Sequence, residues 1–142
     1  MTVGASSPRS SVAGLALTAA IVELTLTTAY IHATLGGWLF TLNAIGYVAL
    51  AAAVAVGAAA PHRLIGRFSW LPRIGLAGYT AVTIGAYLVI APYFSLGWIA
   101  KGVEVAILTL LTADVVRVYG SPAGFVQAAV TSLIGAQPMR PA

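Results

Sequence analysis

Long apolar runs separated by short turn-forming segments are the main pattern of this chain. A helix needs about 20 predominantly apolar residues to cross the hydrocarbon core of a bilayer. Four runs reach that length, over residues 12–30, 37–57, 74–94 and 97–118. Glycine and proline lie between the runs, as expected where a helix ends. The pattern therefore predicts four transmembrane helices.

Short connections between the runs predict that each helix is antiparallel to the next. The expected fold is an all-α membrane protein, an antiparallel four-transmembrane-helix bundle with a short C-terminal amphipathic helix. The expected divisions are a cytoplasmic N-terminal tail over residues 1–11, the bundle over residues 12–119, and an interfacial or docking helix with a tail over residues 120–142. Ser121 can cap the last helix and Gly135 can end it.

The distribution of basic residues predicts the orientation of the bundle, because positive charges favour the cytoplasmic side of a membrane. Lys101 falls near one end of the predicted spans. The arginines fall at the other end: Arg9, Arg63, Arg67, Arg73, Arg117 and Arg140. Trp38, Trp70 and Trp98 lie at span starts, where an indole can occupy the headgroup layer. Both termini are expected in the cytoplasm, and frequent Ala, Gly and Arg favour a bacterial inner membrane.

The composition limits the classes of function. The chain is 60% hydrophobic and 7% charged, whereas about 25% of a soluble domain is charged. A net charge of +4 would suggest nucleic acid in a soluble protein, but here topology explains it, so no nucleic-acid partner is expected. The absence of cysteine excludes disulfides, thiolate metal sites and cysteine nucleophiles. No metalloprotease, nucleotide-loop or Ser/His/Asp pattern occurs, which favours a non-enzyme without a metal site.

Acidic residues within the runs are the main leads toward function, because a carboxylate is costly in lipid. We expect Glu23, deep in the first run, to face the bundle interior. At 1.5 Å per residue, Asn43, Tyr87 and Glu104 share a layer about 10 Å below the outer surface. The predicted ligand or proton site comprises Glu23, Asn43, Tyr47, Tyr87, Lys101 and Glu104. The alternative is that these groups only fix the bundle through interhelical hydrogen bonds.

Two pairs of opposite charge have the spacing of neighbours on one helix face. Lys101 and Glu104 are three residues apart, and so are Asp114 and Arg117. The first pair belongs to the predicted layer. We interpret the second as a structural ion pair at the inner end of the last run.

The two histidines raise the possibility of a haem, because histidine is a common ligand of haem iron. His32 falls at the outer end of the first run and His62 in an inner loop, about 30 Å away across the bilayer. They cannot share one haem within a monomer. His32 stays a candidate ligand for a single-histidine haem or for a haem between two protomers. The main expectation is no cofactor, with haem or quinone as alternatives.

Glu23 in the first of four short spans, followed by Thr27 and Thr28, is similar to the small multidrug resistance exporters. That family carries a lone first-span glutamate shared by protons and cationic drugs, so the resemblance implies proton-linked transport. The similarity covers one helix. The acids of the fourth run, the longer inner loop and the C-terminal helix depart from the family, so we treat the resemblance as an analogy and not as membership.

Small residues and the uncharged terminal helix over residues 122–135 predict protein contacts, because small side chains let helices approach closely. The small residues are Ala49, Ala53, Gly57, Gly78 and Gly85. Expected partners are the bilayer and other membrane subunits or a second copy. The main functional expectation is a non-catalytic subunit of a larger membrane complex. The alternatives are a proton-linked transporter or hydrophobic-ligand binder using Glu23, and a haem- or quinone-binding redox subunit.

Overall fold

The computed structural model describes residues 11–59, 68–90 and 93–134. Every regular element within these ranges is a helix: α1 (Val12–Leu35), α2 (Trp38–Ala59), α3 (Trp70–Ile90), α4 (Ser95–Tyr119) and α5 (Pro122–Ile134). The expectation of an all-α chain is confirmed for these residues. Several residues used above lie outside the described ranges: Arg9, His62, Arg63, Arg67, Gly135 and Arg140.

Capping and glycine positions set the ends of the helices. The Ser11 side chain caps α1 by accepting a hydrogen bond from a first-turn amide (3.1 Å). Gly36 and Gly37 have positive φ (72° and 83°), which glycine adopts without strain, and they reverse the chain between α1 and α2. Gly120 (φ 77°) follows α4, and its amide bonds to the Val116 carbonyl (2.8 Å).

Helices α1, α2 and α3 are each long and apolar enough to cross a membrane, with 24, 22 and 21 residues. Helix α4 has 25 residues and belongs to the same bundle, but it carries Lys101, Glu104, Asp114 and Arg117. The expectation of four spans is therefore supported for three helices on length and composition. Their apolar character suggests membrane insertion.

The four long helices pack around one apolar core. Helix α1 contacts α2 and α4, and α3 contacts the same two helices, so the four form a closed ring in cross-section. The core residues come from all four helices: Ile21, Ala29, Tyr47, Val54, Leu76, Ile107 and Leu111. Because such cores are closely packed, the inward polar groups of neighbouring helices are brought within contact distance.

The extension beyond the expected runs is largest for α1 and α3. Helix α1 continues to Leu35, past the expected end at Tyr30. The side chains of His32 and Thr34 bond to carbonyls of the preceding turn (2.7 Å each), so these polar residues fit within the helix. Helix α3 begins two residues before Pro72, because proline is tolerated in the first turn of a helix.

Helix α5 contacts α3 and α4 of its own bundle. Trp70 Nε1 donates a hydrogen bond to Ser132 Oγ (2.8 Å). The Trp70 indole is therefore covered by α5, a contact that the sequence did not predict, and its place in the headgroup layer stays a prediction. Trp38 and Trp98, in contrast, are exposed.

Gly97 allows α3 and α4 to approach closely beside Tyr87. A Cβ atom at residue 97 would lie 2.6 Å from the Tyr87 ring, well inside van der Waals contact. The ring is held in place because its hydroxyl group accepts from the Phe94 amide and donates to the Phe94 carbonyl (3.2 Å each). A Cβ atom at residue 102, also on α4, would have no neighbouring atom within 4 Å.

We therefore expect Gly97→Ala to lower the free energy of unfolding by about 1–3 kcal/mol, the usual cost of overpacking. Gly102→Ala is the matched control. It should be neutral or stabilising by up to about 1 kcal/mol, because alanine favours a helix over glycine. Thermal unfolding of both variants in one detergent measures the difference, and equal effects at the two positions would contradict the close approach.

Candidate functional site

A buried carboxylate, Glu104 on α4, is the centre of a polar layer inside the bundle. Its side chain is fully buried (0% exposed). Thr28 Oγ1 of α1 donates a hydrogen bond to Glu104 Oε1 (3.3 Å), and Thr83 Oγ1 of α3 lies 3.1 Å from Oε2. The ammonium group of Lys101 also contacts Oε2. Donors from three helices thus compensate for the loss of water around this carboxylate.

Helical spacing brings these groups to one level of the bundle. Lys101 and Glu104 are three residues apart and share the inward face of α4. Thr28 and His32 are four residues apart and share the inward face of α1. Thr83 reaches the same level from α3 through its contact with Glu104. The layer is therefore assembled by helix geometry without any irregular backbone.

His32 is held in one orientation by its own helix. Its Nδ1 lies 2.7 Å from the Thr28 carbonyl oxygen, which can only accept, so Nδ1 carries a hydrogen. Nε2 therefore points into the layer and lies 3.7 Å from Glu104 Oε1. The ring packs against Tyr47 and Phe40, with ring centres 5.6 and 6.2 Å away. A proton on Nε2 would turn the contact with Glu104 into an ion pair.

Tyr47 of α2 joins the layer through Thr83. The two hydroxyl oxygens are 2.7 Å apart. Thr83 has one hydroxyl hydrogen, and its acceptors are Glu104 Oε2 (3.1 Å) and the Thr80 carbonyl (2.9 Å). When that hydrogen goes to one of these two oxygens, Tyr47 donates to Thr83. All four long helices therefore contribute to the hydrogen bonds around Glu104.

A cavity of about 410 Å³ lies beside this layer, at the end of the bundle that holds the α1–α2 and α3–α4 connections. Its polar lining is His32, Asn43, Thr83, Tyr87 and Lys101. Its larger apolar lining residues are Leu35, Leu39, Phe40, Ile90 and Phe94. Asn43 Oδ1 is buried and has no hydrogen-bond partner among the described residues. The cavity thus combines apolar walls with an ammonium, an imidazole and an amide.

The Lys101 ammonium is shared between the layer and the cavity. Besides Glu104, it contacts the Thr83 carbonyl (3.3 Å) and lies 5.5 Å from the centre of the Tyr87 ring. A cation over an aromatic face is attracted by the negative charge density of the ring. These contacts fix the position of the amino group at the cavity wall.

Glu23 is not part of this layer, contrary to the expectation that it faces the bundle interior. Its side chain is exposed on the outer face of α1. The reason is helical periodicity, because Ile21, Thr25 and Thr28 occupy the inward face. A residue two positions from Ile21 points about 200° away from it around the helix. Glu104, and not Glu23, is the carboxylate of this polar layer.

The structure brings the other five predicted site residues together. Asn43, Tyr87 and Lys101 line the cavity, Glu104 lies next to it, and Tyr47 reaches Glu104 through a threonine. Their roles in binding a ligand or a proton stay predictions.

Three members of the layer were not recognised in the sequence as partners of Glu104: Thr28, His32 and Thr83. The expected end of the first run at Tyr30 leaves His32 outside the span. Its spacing of four residues from Thr28 is the signal that would have placed both on one helix face. Thr83 gives no comparable signal, because a lone threonine in an apolar run is common at helix contacts.

The geometry disfavours His32 as a haem ligand. Nδ1 is engaged by the Thr28 carbonyl, and Nε2 faces Glu104. An iron bound at Nε2 would therefore have to displace the carboxylate. In the described ranges, no group of three or more metal-ligating side chains occurs.

A second buried charge cluster lies near the other end of α4. The expected ion pair is present, with Arg117 Nη2 2.5 Å from Asp114 Oδ1. Arg73 of α3, expected only as an orientation signal, is also a partner, because its Nε and Nη2 each lie 2.7 Å from Asp114 Oδ2. Arg73 Nη1 donates to the Ser69 carbonyl (2.7 Å) as well. The cluster ties α3 to α4, as a structural ion pair would.

Comparison with known proteins assigns no family to the chain. No protein family model matches it, and no curated protein sequence or solved structure is similar to it. The analogy with the small multidrug resistance exporters has lost its basis as well, since Glu23 lies outside the polar interior.

We expect Glu104→Gln to lower the free energy of unfolding by about 3 kcal/mol, because the Lys101 ammonium would be left buried without its counter-charge. Glu23→Gln is the matched control. Its side chain is exposed, so its effect should stay within about 0.5 kcal/mol. Denaturant unfolding in detergent measures both variants, and equal stability of the two would show that Glu104 is not central.

Proposed function

We propose that this protein is an integral membrane protein that binds a lipophilic small molecule in the cavity beside Lys101. The observation that carries the proposal is a space of about 410 Å³ with mainly apolar walls and a buried ammonium group at its edge. Sites for small molecules are typically concave and mainly apolar, with a few polar groups that fix orientation. The cavity meets each of these conditions.

The polar lining indicates the chemistry of the ligand. Lys101 offers hydrogen-bond donors and a positive charge, so the polar head should carry an acceptor oxygen, as in a carbonyl or a carboxylate. Asn43 also lines the cavity and offers an amide group beside that acceptor. The volume suits a molecule built on one or two rings or a short chain. A quinone, one of the alternatives from the sequence, belongs to this class.

We place all four long helices across the bilayer. Helix α4 is about 37 Å long at 1.5 Å per residue, which exceeds the hydrocarbon core of about 30 Å. Its charges lie against partners within the bundle, Lys101 against Glu104 and Asp114 against two arginines. Paired charges that face the bundle interior are those that membrane helices tolerate.

We propose the orientation that the arginines favour, with both termini in the cytoplasm of a bacterial cell. Arg73 and Arg117 belong to the end of the bundle at which α5 docks. By the bias of positive charge, this end faces the cytoplasm. The cavity lies at the opposite end and therefore faces the outer side of the inner membrane.

Two earlier expectations are not part of this proposal. Proton-linked transport was expected to use Glu23 inside the bundle, but that side chain is exposed on the outer face of α1. The role of non-catalytic subunit in a larger complex stays a prediction, because no contact in the structure tests it.

The orientation can be measured by cysteine labelling, because the chain has no cysteine of its own. Ser95 at the cavity end and Ala123 in α5 are exposed and suit single replacements by cysteine. In right-side-out vesicles, an impermeant maleimide should label residue 95 directly and residue 123 only after permeabilisation. The reverse pattern would show that the bundle has the opposite orientation. Direct labelling of both residues would show that α4 does not cross the membrane.

Filling the cavity should prevent binding. Ala86 lines the cavity, whereas Ala81 on the same helix is exposed and is not among the lining residues. We expect Ala86→Phe to weaken the binding of menadione, a small naphthoquinone, by about tenfold or more, and Ala81→Phe to leave it unchanged. Lys101→Gln should weaken binding by about tenfold, because one hydrogen bond to a charged group is lost.

Equilibrium dialysis of the purified protein in detergent measures these affinities. The same measurements with decanoate show whether the site prefers a ligand with a carboxylate group to one with a carbonyl group. Binding of neither probe, or equal loss of binding in the two alanine variants, would contradict the proposed site.

A further inference from the structure

The outer face of α1 carries an exposed carboxylate, that of Glu23. Glu23 lies near the middle of Val12–Leu35, and its side chain is exposed. Among the described residues its carboxyl group has no hydrogen bond and no ion pair. The Thr27 hydroxyl is next to it but donates to the main-chain oxygen of Glu23 (2.8 Å). Lipid offers no partner to such a group, and exposing it to acyl chains is costly.

Glu23 belongs to a regular row of exposed residues along α1, which we call the α1 seam. Its members are Ala16, Ala19, Glu23, Leu26, Tyr30 and Ala33. The steps between them alternate between three and four residues, which is the spacing at which two helices pack along a shared left-handed seam. Glu23 is the only charged residue of the row. A single polar residue at such a position commonly fixes the register and the number of helices that associate.

We propose that a second copy of this chain packs against the α1 seam, with the two Glu23 carboxyl groups facing each other. Two copies inserted the same way and related by a two-fold axis along the bilayer normal bring identical residues to the same depth. The symmetry alone therefore places the Glu23 side chain of the second copy at the same depth in the bilayer as that of the first.

The chemistry of the paired groups is self-complementary. A carboxyl group in its acid form has one donor and one acceptor, so two of them can exchange two hydrogen bonds. In a second arrangement, each carboxyl group donates its hydrogen to Thr27 Oγ1 of the other copy, because that hydroxyl has given its own hydrogen to the main chain and can still accept. Hydrogen bonds of this kind are a recognised driving force of helix association in membranes.

The shape of the surface fits a helix as well. Ala16, Ala19 and Ala33 are small, so two α1 helices can approach closely at both ends of the seam. A groove of about 420 Å³ between α1 and α2 is lined in part by Leu26 and Tyr30. It offers space for a larger side chain of the second copy.

Disulfide trapping tests the interface, because every introduced cysteine is the sole cysteine of its chain. Ala19→Cys and Leu26→Cys lie one turn on either side of Glu23. Val82→Cys on α3 and Val105→Cys on α4 are controls, since both valines are exposed and lie in the middle part of their helices. In liposomes with a mild oxidant, we expect cross-linked dimers at the two seam positions and only background at the two controls.

Replacing Glu23 separates hydrogen bonding from packing. Glu23→Gln keeps a donor and an acceptor and should keep cross-linking of the Ala19→Cys chain. Glu23→Leu removes both and should weaken association by about tenfold, the effect of losing two interhelical hydrogen bonds. The side chain is exposed and makes no hydrogen bond or ion pair among the described residues, so the circular dichroism and melting temperature of both variants should match the parent chain.

Four results would overturn the proposal. They are equal cross-linking at the seam and control positions, a monomeric mass at all protein concentrations in lipid nanodiscs, undiminished association of Glu23→Leu, and cross-links in native membranes only to a different protein. Ligand binding in the cavity is measured separately and does not depend on these outcomes.

Discussion

Glu104 is buried away from water and must therefore keep its hydrogen-bond and charge partners, and the rest of the bundle depends on this constraint. Glu104 is tolerated inside because Thr28, Thr83 and Lys101 supply donors to it. Each donor must lie at the level of Glu104 in the bundle. This one carboxylate therefore fixes the positions of α1, α3 and α4 relative to one another along the bundle axis. Tyr47 extends the same constraint to α2. In a low-dielectric interior such a network specifies one arrangement, because any slip leaves a buried polar group unpaired.

The same constraint explains why the cavity has its chemistry. The ammonium of Lys101 neutralises Glu104 and also lines the open space. One side chain therefore serves the fold and the proposed binding site together. Functional sites commonly share groups with the structure in this way, and changes there alter stability and activity together.

The sequence predicted the helices and part of the polar layer, but not which way each helix faces. The three-residue spacing of Lys101 and Glu104 was sufficient to pair them. Glu23 was assigned to the interior wrongly, because polar residues occur on both the inward and the outward face of α1 and give no amphipathic signal that separates the two. His32 was missed because the helix continues past the expected end. The contact of Arg73 with Asp114 depends on the packing of two helices, which residue spacing along one chain does not contain.

Helix α4 has a consequence for how the chain enters the membrane in the proposed topology. Each acid of this helix lies three residues from a base, Glu104 from Lys101 and Asp114 from Arg117. The insertion machinery therefore meets a segment with no formal net charge, before any other helix has provided a contact. Contacts with α1 and α3 are needed only afterwards. Biogenesis can thus proceed in two stages, with the helices inserted one by one and the polar layer closed last.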